Sequence, residues 1–261
     1  MINFLKGIVI GIANIIPGVS GGTMAVILGI YENLIQAISN FFTDKKNRKK
    51  YLILIIQVGL GAVLGVFILA KAMEFLLTNY PQNTFFFFIG LIIGGIPIIY
   101  KAHSNMKPSI VKIIVFLFFF SLIFLISNLS AVNIDQSTNS IFYLYLLISG
   151  FFAAGAMIVP GISGSFLLLV LGTYNTIIQA ISSFNFLILG TVALGAILGI
   201  LIFTKIINIL LKKCPSHTYY GILGLIFGSI LIIWPGLSLN LSGALSILFC
   251  VLGIFIINKF H

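Results

Sequence analysis

Charged residues are scarce in this sequence. They fill 7% of its 261 positions against 60% hydrophobic, and only four of them are acidic. A water-soluble surface cannot be assembled from that remainder, so the solvent for most side chains is lipid. Arg48 is the only arginine, and there are two cysteines. Cys214 falls at an expected helix end and Cys250 inside an apolar run, without metal-ligand spacing, so no disulfide, zinc or redox chemistry is implied. His103 and His217 fall in expected loops and His261 is the last residue. None has a nucleophile or acid beside it, so no role is assigned to them. No catalytic residue, metal site or cofactor is expected.

What is present is apolar sequence in long runs. Tyr51–Leu77, Thr84–Tyr100, Ile110–Ile126, Phe186–Leu211 and Leu241–Asn258 bracket the roughly 17–25 residues that cross about 30 Å of hydrocarbon. The expected fold is an all-α polytopic membrane protein. Lys6 beside an apolar run could pass for a signal peptide, but no small-residue cleavage pattern follows, and the segment is read as mature protein. The net charge of +10 would suggest nucleic acid in a soluble domain. Here the cations sit in short loops, where they orient spans and at most attract anionic headgroups. No nucleic-acid partner is expected.

The sequence overlays itself. Ala13–Phe41 matches Ala156–Phe184, with Pro17, Gly18, Ser20, Gly21, Leu28, Gly29, Tyr31 and Gln36 recurring in order. Past a short insertion holding Lys45–Lys50, Gly61, Gly65, Lys71, Pro81, Thr84, Gly90 and Gly94 meet Gly195, Gly199, Lys205, Pro215, Thr218, Gly224 and Gly228. Each unit reads as a broken re-entrant helical hairpin followed by three transmembrane helices. Residues 1–130 form the first, with a hairpin at 7–42 and spans at 51–79, 84–101 and 110–128. Residues 141–261 form the second, with a hairpin at 141–186 and spans at 186–211, 218–234 and 241–258. Together they make one membrane domain.

Charge gives the orientation. If each hairpin enters and leaves on one side, Thr43–Lys50, Lys101–Lys112, Lys212–His217 and Lys259 share the cytoplasmic side, and the loops at Asn79–Asn83, Asn128–Ser140 and Trp234–Asn240 lie outside. The outside loops hold no Lys or Arg, as the positive-inside rule asks. Three crossings per unit make the second copy inverted, with both termini cytoplasmic. Inverted repeats with discontinuous helices are common in secondary transporters, although a channel or membrane enzyme could share them.

The candidate site is the duplicated break: Pro17, Gly18, Ser20, Gly21, Gly22 and Thr23 in one unit, Pro160, Gly161, Ser163, Gly164 and Ser165 in the other. A broken helix in hydrocarbon frees N–H groups that need partners. A restarted helix points its amides and positive dipole end at the gap, and the hydroxyls add donors, so two facing breaks would hold an anion. The plainer reading is that the glycines permit close helix crossing and the hydroxyls bond to their own helices. Lys71 and Lys205 occupy matching positions in the long helices. Either they snorkel to headgroups or they capture a phosphate at each entrance, with Glu74 one turn on as a partner for Lys71. Glu32 is a solvated carboxylate at a hairpin exit or, if deeper, a proton carrier. Phe85–Phe88 and Phe116–Phe120 are lipid-facing or packing surfaces that would also suit an isoprenoid tail.

At PGVSGGTMAVILGIY and PGISGSFLLLVLGTY, and over essentially the whole chain, the sequence resembles the bacterial and archaeal polyprenyl-phosphate transporter family, formerly a domain of unknown function. The resemblance implies a lipid translocase that returns undecaprenyl phosphate from the outer to the cytoplasmic leaflet of the plasma membrane for recycling in cell-envelope synthesis, with the motif residues above binding substrate. The implied partners are this lipid and the bilayer, and a homo-oligomer is allowed. A transporter of a small anion is the alternative. Undecaprenyl-diphosphate phosphatases share inverted repeats and a proline-glycine-serine motif, but carry an arginine in it and acidic residues beside the other. Here Gly21 and Gly164 follow the serines and no carboxylate lies near either motif, so phosphoryl transfer lacks its charge clamp and base.

Overall fold

The computed structural model describes residues 1–15, 19–101, 106–127, 140–238 and 240–259. Among them there are twelve helices and no strand: α1 (Ile2–Ile15), α2 (Gly21–Ile27), α3 (Tyr31–Asn40), α4 (Arg48–Asn79), α5 (Pro81–Lys101), α6 (Ile110–Ser127), α7 (Ser140–Ile158), α8 (Gly164–Val170), α9 (Tyr174–Ser182), α10 (Phe186–Lys213), α11 (Pro215–Ile232) and α12 (Leu241–Lys259). Helices α4, α5, α6, α7, α10 and α12 are each long and apolar enough to cross a membrane. The chain is a multi-pass helical membrane protein. Helices α5 and α11 begin at Pro81 and Pro215, three residues before the spans expected at 84 and 218. A first-turn proline has no N–H to leave unpaired, so it opens a helix rather than sitting in the preceding turn.

Each broken segment has three pieces. The arm after the motif bends sharply, by 116° between α2 and α3 and by 109° between α8 and α9. Gly29 and Gly172 turn these corners at φ of 65° and 68°, a left-handed backbone that a side chain would strain. Helix α2 runs back along α1. Gly21 N–H donates to Asn14 Oδ1 (3.0 Å) near the tip, and Lys6 Nζ donates to the Leu28 carbonyl (2.6 Å) at the open end. In the second unit Tyr145 OH reaches the corresponding Leu171 carbonyl (2.9 Å). Both contacts satisfy a carbonyl that the end of a short helix leaves free.

Glycine sets the helix pairing. Helix α1 packs on α4, α7 on α10, α5 on α12 and α6 on α11. A Cβ at Gly61 or Gly65 would strike the Phe4 or Ile8 carbonyl, one at Gly195 or Gly199 the Leu147 or Phe151 carbonyl, and one at Gly90 the Cys250 carbonyl. Such contact lets helices approach without a hydrophobic drive, which lipid cannot provide. Gly224 abuts Phe116 and Phe120 while Gly228 abuts Ile123, so α6 and α11 run parallel. Helix α11 and all of α2 lie inside, with Ile27, Ile226 and Leu146 fully buried. The outer helices present Phe67, Leu125 and Leu194 outward.

Gly195→Leu should therefore cost about 3 kcal/mol through overpacking, read as a fall in the thermal midpoint of the protein in detergent. Gly190→Leu, five positions away where a Cβ meets nothing within 4 Å, should leave the midpoint in place.

Candidate functional site

Ser20 and Ser163 stand just before α2 and α8 with nearly the same extended backbone, φ −98° and ψ 130° against φ −95° and ψ 128°. Neither side chain caps its own helix, so the plainer reading of the hydroxyls does not describe Ser20, whereas Ser163 does bond to a residue of its own helix, Ser165. Ser20 is 3% exposed and its Oγ has no hydrogen-bond partner among the described residues. A buried hydroxyl left unmatched costs about 1–3 kcal/mol, which makes it conspicuous. Pro17 and Gly18 lie outside the described residues.

The two motifs meet. Gly161 N–H donates to Thr23 Oγ1 at 2.8 Å across the two units, in a buried setting. Gly161 has φ +90°, and a Cβ there would press on Leu225 at 2.7–2.8 Å. A Cβ on Gly22 would sit 3.1 Å from the Met157 carbonyl and 3.3 Å from Pro160 N. Tyr31 OH donates to the Ile158 carbonyl (3.0 Å), so the loop leading into the second motif is held by the first hairpin at two points. Gly21 and Gly22 also border a cavity of about 170 Å³ shared with Asn14, Tyr31, Met157 and Ile158.

The halves are not equivalent. Every residue from Val19 to Ile27 is buried, whereas Ser163 is half-buried and Ser165 exposed. Ser163 and Ser165 share a hydrogen bond of 2.9 Å, and Gly161 and Ser163 border a small cleft of about 30 Å³ with Ile123, Phe166 and Ser229. Pro160 and Gly164 are buried. Since α2 and α8 are seven residues each, their macrodipoles are short, and hydroxyls and free amides supply most of the polarity.

The remaining candidates stand apart. Lys71 and Lys205 are exposed on α4 and α10, and neither lines the cavities that border the motifs. Glu74 is exposed as well and forms no ion pair with Lys71. Glu32 is exposed on α3, and Tyr219 OH from α11 donates to its Oε1 at 2.5 Å. Asn208, at the position matching Glu74, donates to Ser39 Oγ (3.1 Å) and ties α10 to α3. Sequence reading passed over Tyr31 and Tyr219. Tyr31 carried a signal, because it recurs as Tyr174 in the repeat; Tyr219 had none, since Phe85 stands at its counterpart.

Fold and site together define a helical membrane protein of the transporter class, with discontinuous helices meeting at a polar centre. A family model described as undecaprenyl phosphate translocase-like matches residues 10–243. A protein of Vibrio cholerae named polyprenyl-phosphate transporter is 32% identical over 244 residues, covering 89% of this chain and 77% of that protein. One of the same name from Staphylococcus aureus is 36% identical over 254 residues, covering 92% of this chain and 88% of that protein. No solved structure matches. The chain belongs to the undecaprenyl phosphate translocase-like family, whose relatives here are transporters and not enzymes.

Thr23→Val should destabilise the protein by about 2 kcal/mol, because it strands the buried Gly161 N–H. Ser20→Ala should leave stability unchanged or raise it slightly. Thermal unfolding of the two variants in detergent separates a structural hydroxyl from one held free for another purpose.

Proposed function

We propose that this chain carries polyprenyl phosphate, of the undecaprenyl type, from the outer to the cytoplasmic leaflet of the plasma membrane so that the carrier can be reused in envelope synthesis. The observation that carries the reading is the buried, unpartnered Ser20 hydroxyl beside the Thr23–Gly161 contact that joins the two motif hairpins. A phosphate is costly to bring into hydrocarbon unless donors receive it, and a free hydroxyl in a dry setting is such a donor. The names of both relatives point the same way.

In this reading residues 1–130 and 141–261 are inverted copies, with both termini cytoplasmic. The parallel run of α6 and α11 supports the inversion. Helix α6, from Ile110, follows α5, which ends at Lys101, and α11 is the repeat counterpart of α5. The distribution of Lys and Arg among the loops supports the orientation. The phosphate enters on the Lys71 side, passes between the hairpins under Ser20 and Ser163 and leaves near Lys205, with the motifs around Pro17 and Pro160 as the breaks that expose it. Glu32, held by Tyr219, couples a proton. A groove that opens sideways between α6 and α10, where Ile206 and Leu210 are 47% and 44% exposed, favours a lipid over a small anion, which would need enclosure on all sides.

Leaflet transfer of a labelled polyprenyl phosphate in proteoliposomes tests the reading. The purified protein should speed transfer over empty vesicles, and Ser20→Ala with Ser163→Ala should slow it about tenfold per hydroxyl, the equivalent of about 1.4 kcal/mol for each lost bond to a charged group. Wild-type transfer no faster than in empty vesicles, with and without a proton gradient, would sink the proposal. Glu32→Gln should keep transfer at zero gradient and lose its acceleration by an imposed one; acceleration that persists would remove Glu32 from the scheme.

A further inference from the structure

A groove of about 430 Å³ lies where α6, α10 and α11 meet. Val115 and Phe119 of α6, Phe203 and Ile207 of α10, and Gly221 and Ile222 of α11 form its walls, and nearly all of its surface is apolar. One end is polar, with Cys214, His217 and Thr218 beside the exposed Lys212 and Lys213. The other end is the motif itself, where Pro160, Val159 and Leu225 line the groove together with Tyr31. From His217 to Leu225 a helix rises about 12 Å, close to the depth of one leaflet of a roughly 30 Å core.

A second, separate cleft lies past the motif. Beyond the Gly161–Leu225 contact the same two helices, α6 through Ile123 and Ile126 and α11 through Ser229 and Ile232, border the small cleft that contains Ser163. The α6–α11 seam is thus a lateral track interrupted at one point by the second motif's turn. Chain asymmetry favours this seam over its counterpart. At the repeat-equivalent positions of Gly221 and Ile222, α5 carries Phe87 and Phe88, whose bulk a track would have to avoid. A Cβ at Gly221 would already come within 2.9 Å of the Phe119 ring.

We propose that this groove seats the isoprenoid tail of a polyprenyl lipid, its first isoprene units lying between Phe119, Phe203 and Gly221 with the phosphate end at Cys214, His217 and Thr218. The inference rests on the transport reading for the identity of the headgroup, and adds which face of the protein holds the tail. An isoprenoid chain fits the setting because a groove with apolar walls that runs inward from this polar end must hold whatever trails from a phosphate seated there. The flanking rings offer it flat apolar contact.

Cys214 is a free, exposed thiol at the mouth of this groove, which gives a readout independent of transport. In a Cys250→Ser background, the rate of maleimide labelling at Cys214 is measured in detergent with no lipid, with polyprenyl phosphate, with the uncharged polyprenol and with dioleoyl phosphatidic acid. Both isoprenoids at about ten times their Kd should slow labelling about tenfold by simple occupancy, and phosphatidic acid should not. Ile206→Trp and Leu210→Trp, which fill the groove from its exposed rim without disturbing packed glycines, should abolish that protection. Equal protection by phosphatidic acid would make the groove an ordinary acyl-chain contact and overturn the proposal, as would no protection by either isoprenoid. The same preparations are scored for leaflet transfer. Transfer without protection overturns the groove and leaves the transport reading intact; protection without transfer keeps the groove and counts against that reading.

Discussion

The hydrogen bond from Gly161 N–H to Thr23 Oγ1 is the contact on which the rest of this structure depends. A helix broken inside hydrocarbon leaves amides and carbonyls with no water to receive them. The second hairpin here resolves part of that need on the first. The Gly161 amide finds Thr23, the Ile158 carbonyl finds Tyr31, and Gly22 brings the backbones close enough for both. The first unit satisfies part of its own break through Asn14, but the second leans on the first, so the two fold against each other and polar groups meet between them.

That arrangement constrains everything around it. For hairpin tips to meet, the paired helices must lie close, and the glycines of α4, α10 and α5 let carbonyls of α1, α7 and α12 sit where side chains would otherwise be. Close packing in lipid gains its energy from dispersion and backbone contact, not from exclusion of water. The outer faces are then free to be as apolar as the bilayer, which is how Phe67, Leu125 and Leu194 come to point outward.

Much of this was legible before any coordinates. Helix type and the long helices α4, α5, α6, α10 and α12 followed from run lengths, and the duplicated motif marked the centre because Pro and Gly in apolar sequence have few purposes. The bend after each motif was also written in the chain, as Leu-Gly-x-Tyr at 28–31 and again at 171–174, but a seven-residue helix is too short to announce itself by periodicity. What could not be read was partnership. Nothing in the order of residues says that Thr23 would accept from Gly161, or that Glu32 would lie against Tyr219, because these pairs are distant in sequence and join different units. Lys71 and Lys205, at matched positions in the repeat, are both exposed on the outer helices α4 and α10, and their sequence positions alone do not say what they face.

The chemistry of the centre also explains why a carrier would do without an arginine there. Arg48 is spent at the foot of α4, where its Nε donates to the Phe41 carbonyl at 3.1 Å, and the motifs offer only hydroxyls and amides. A guanidinium in a dry site would hold a phosphate through paired charged bonds, and a tightly held intermediate leaves slowly. Passage requires binding firm enough to offset desolvation and weak enough to release. On the proposed reading, neutral donors, one of them the Ser20 hydroxyl without a partner among the described residues, would meet both demands. The inequality of the two motifs follows the same logic: on the proposed reading, with Ser20 enclosed and Ser165 exposed, a phosphate would be offered one face at a time, and the Thr23–Gly161 bond that joins the hairpins would be the one to yield for the other face to open.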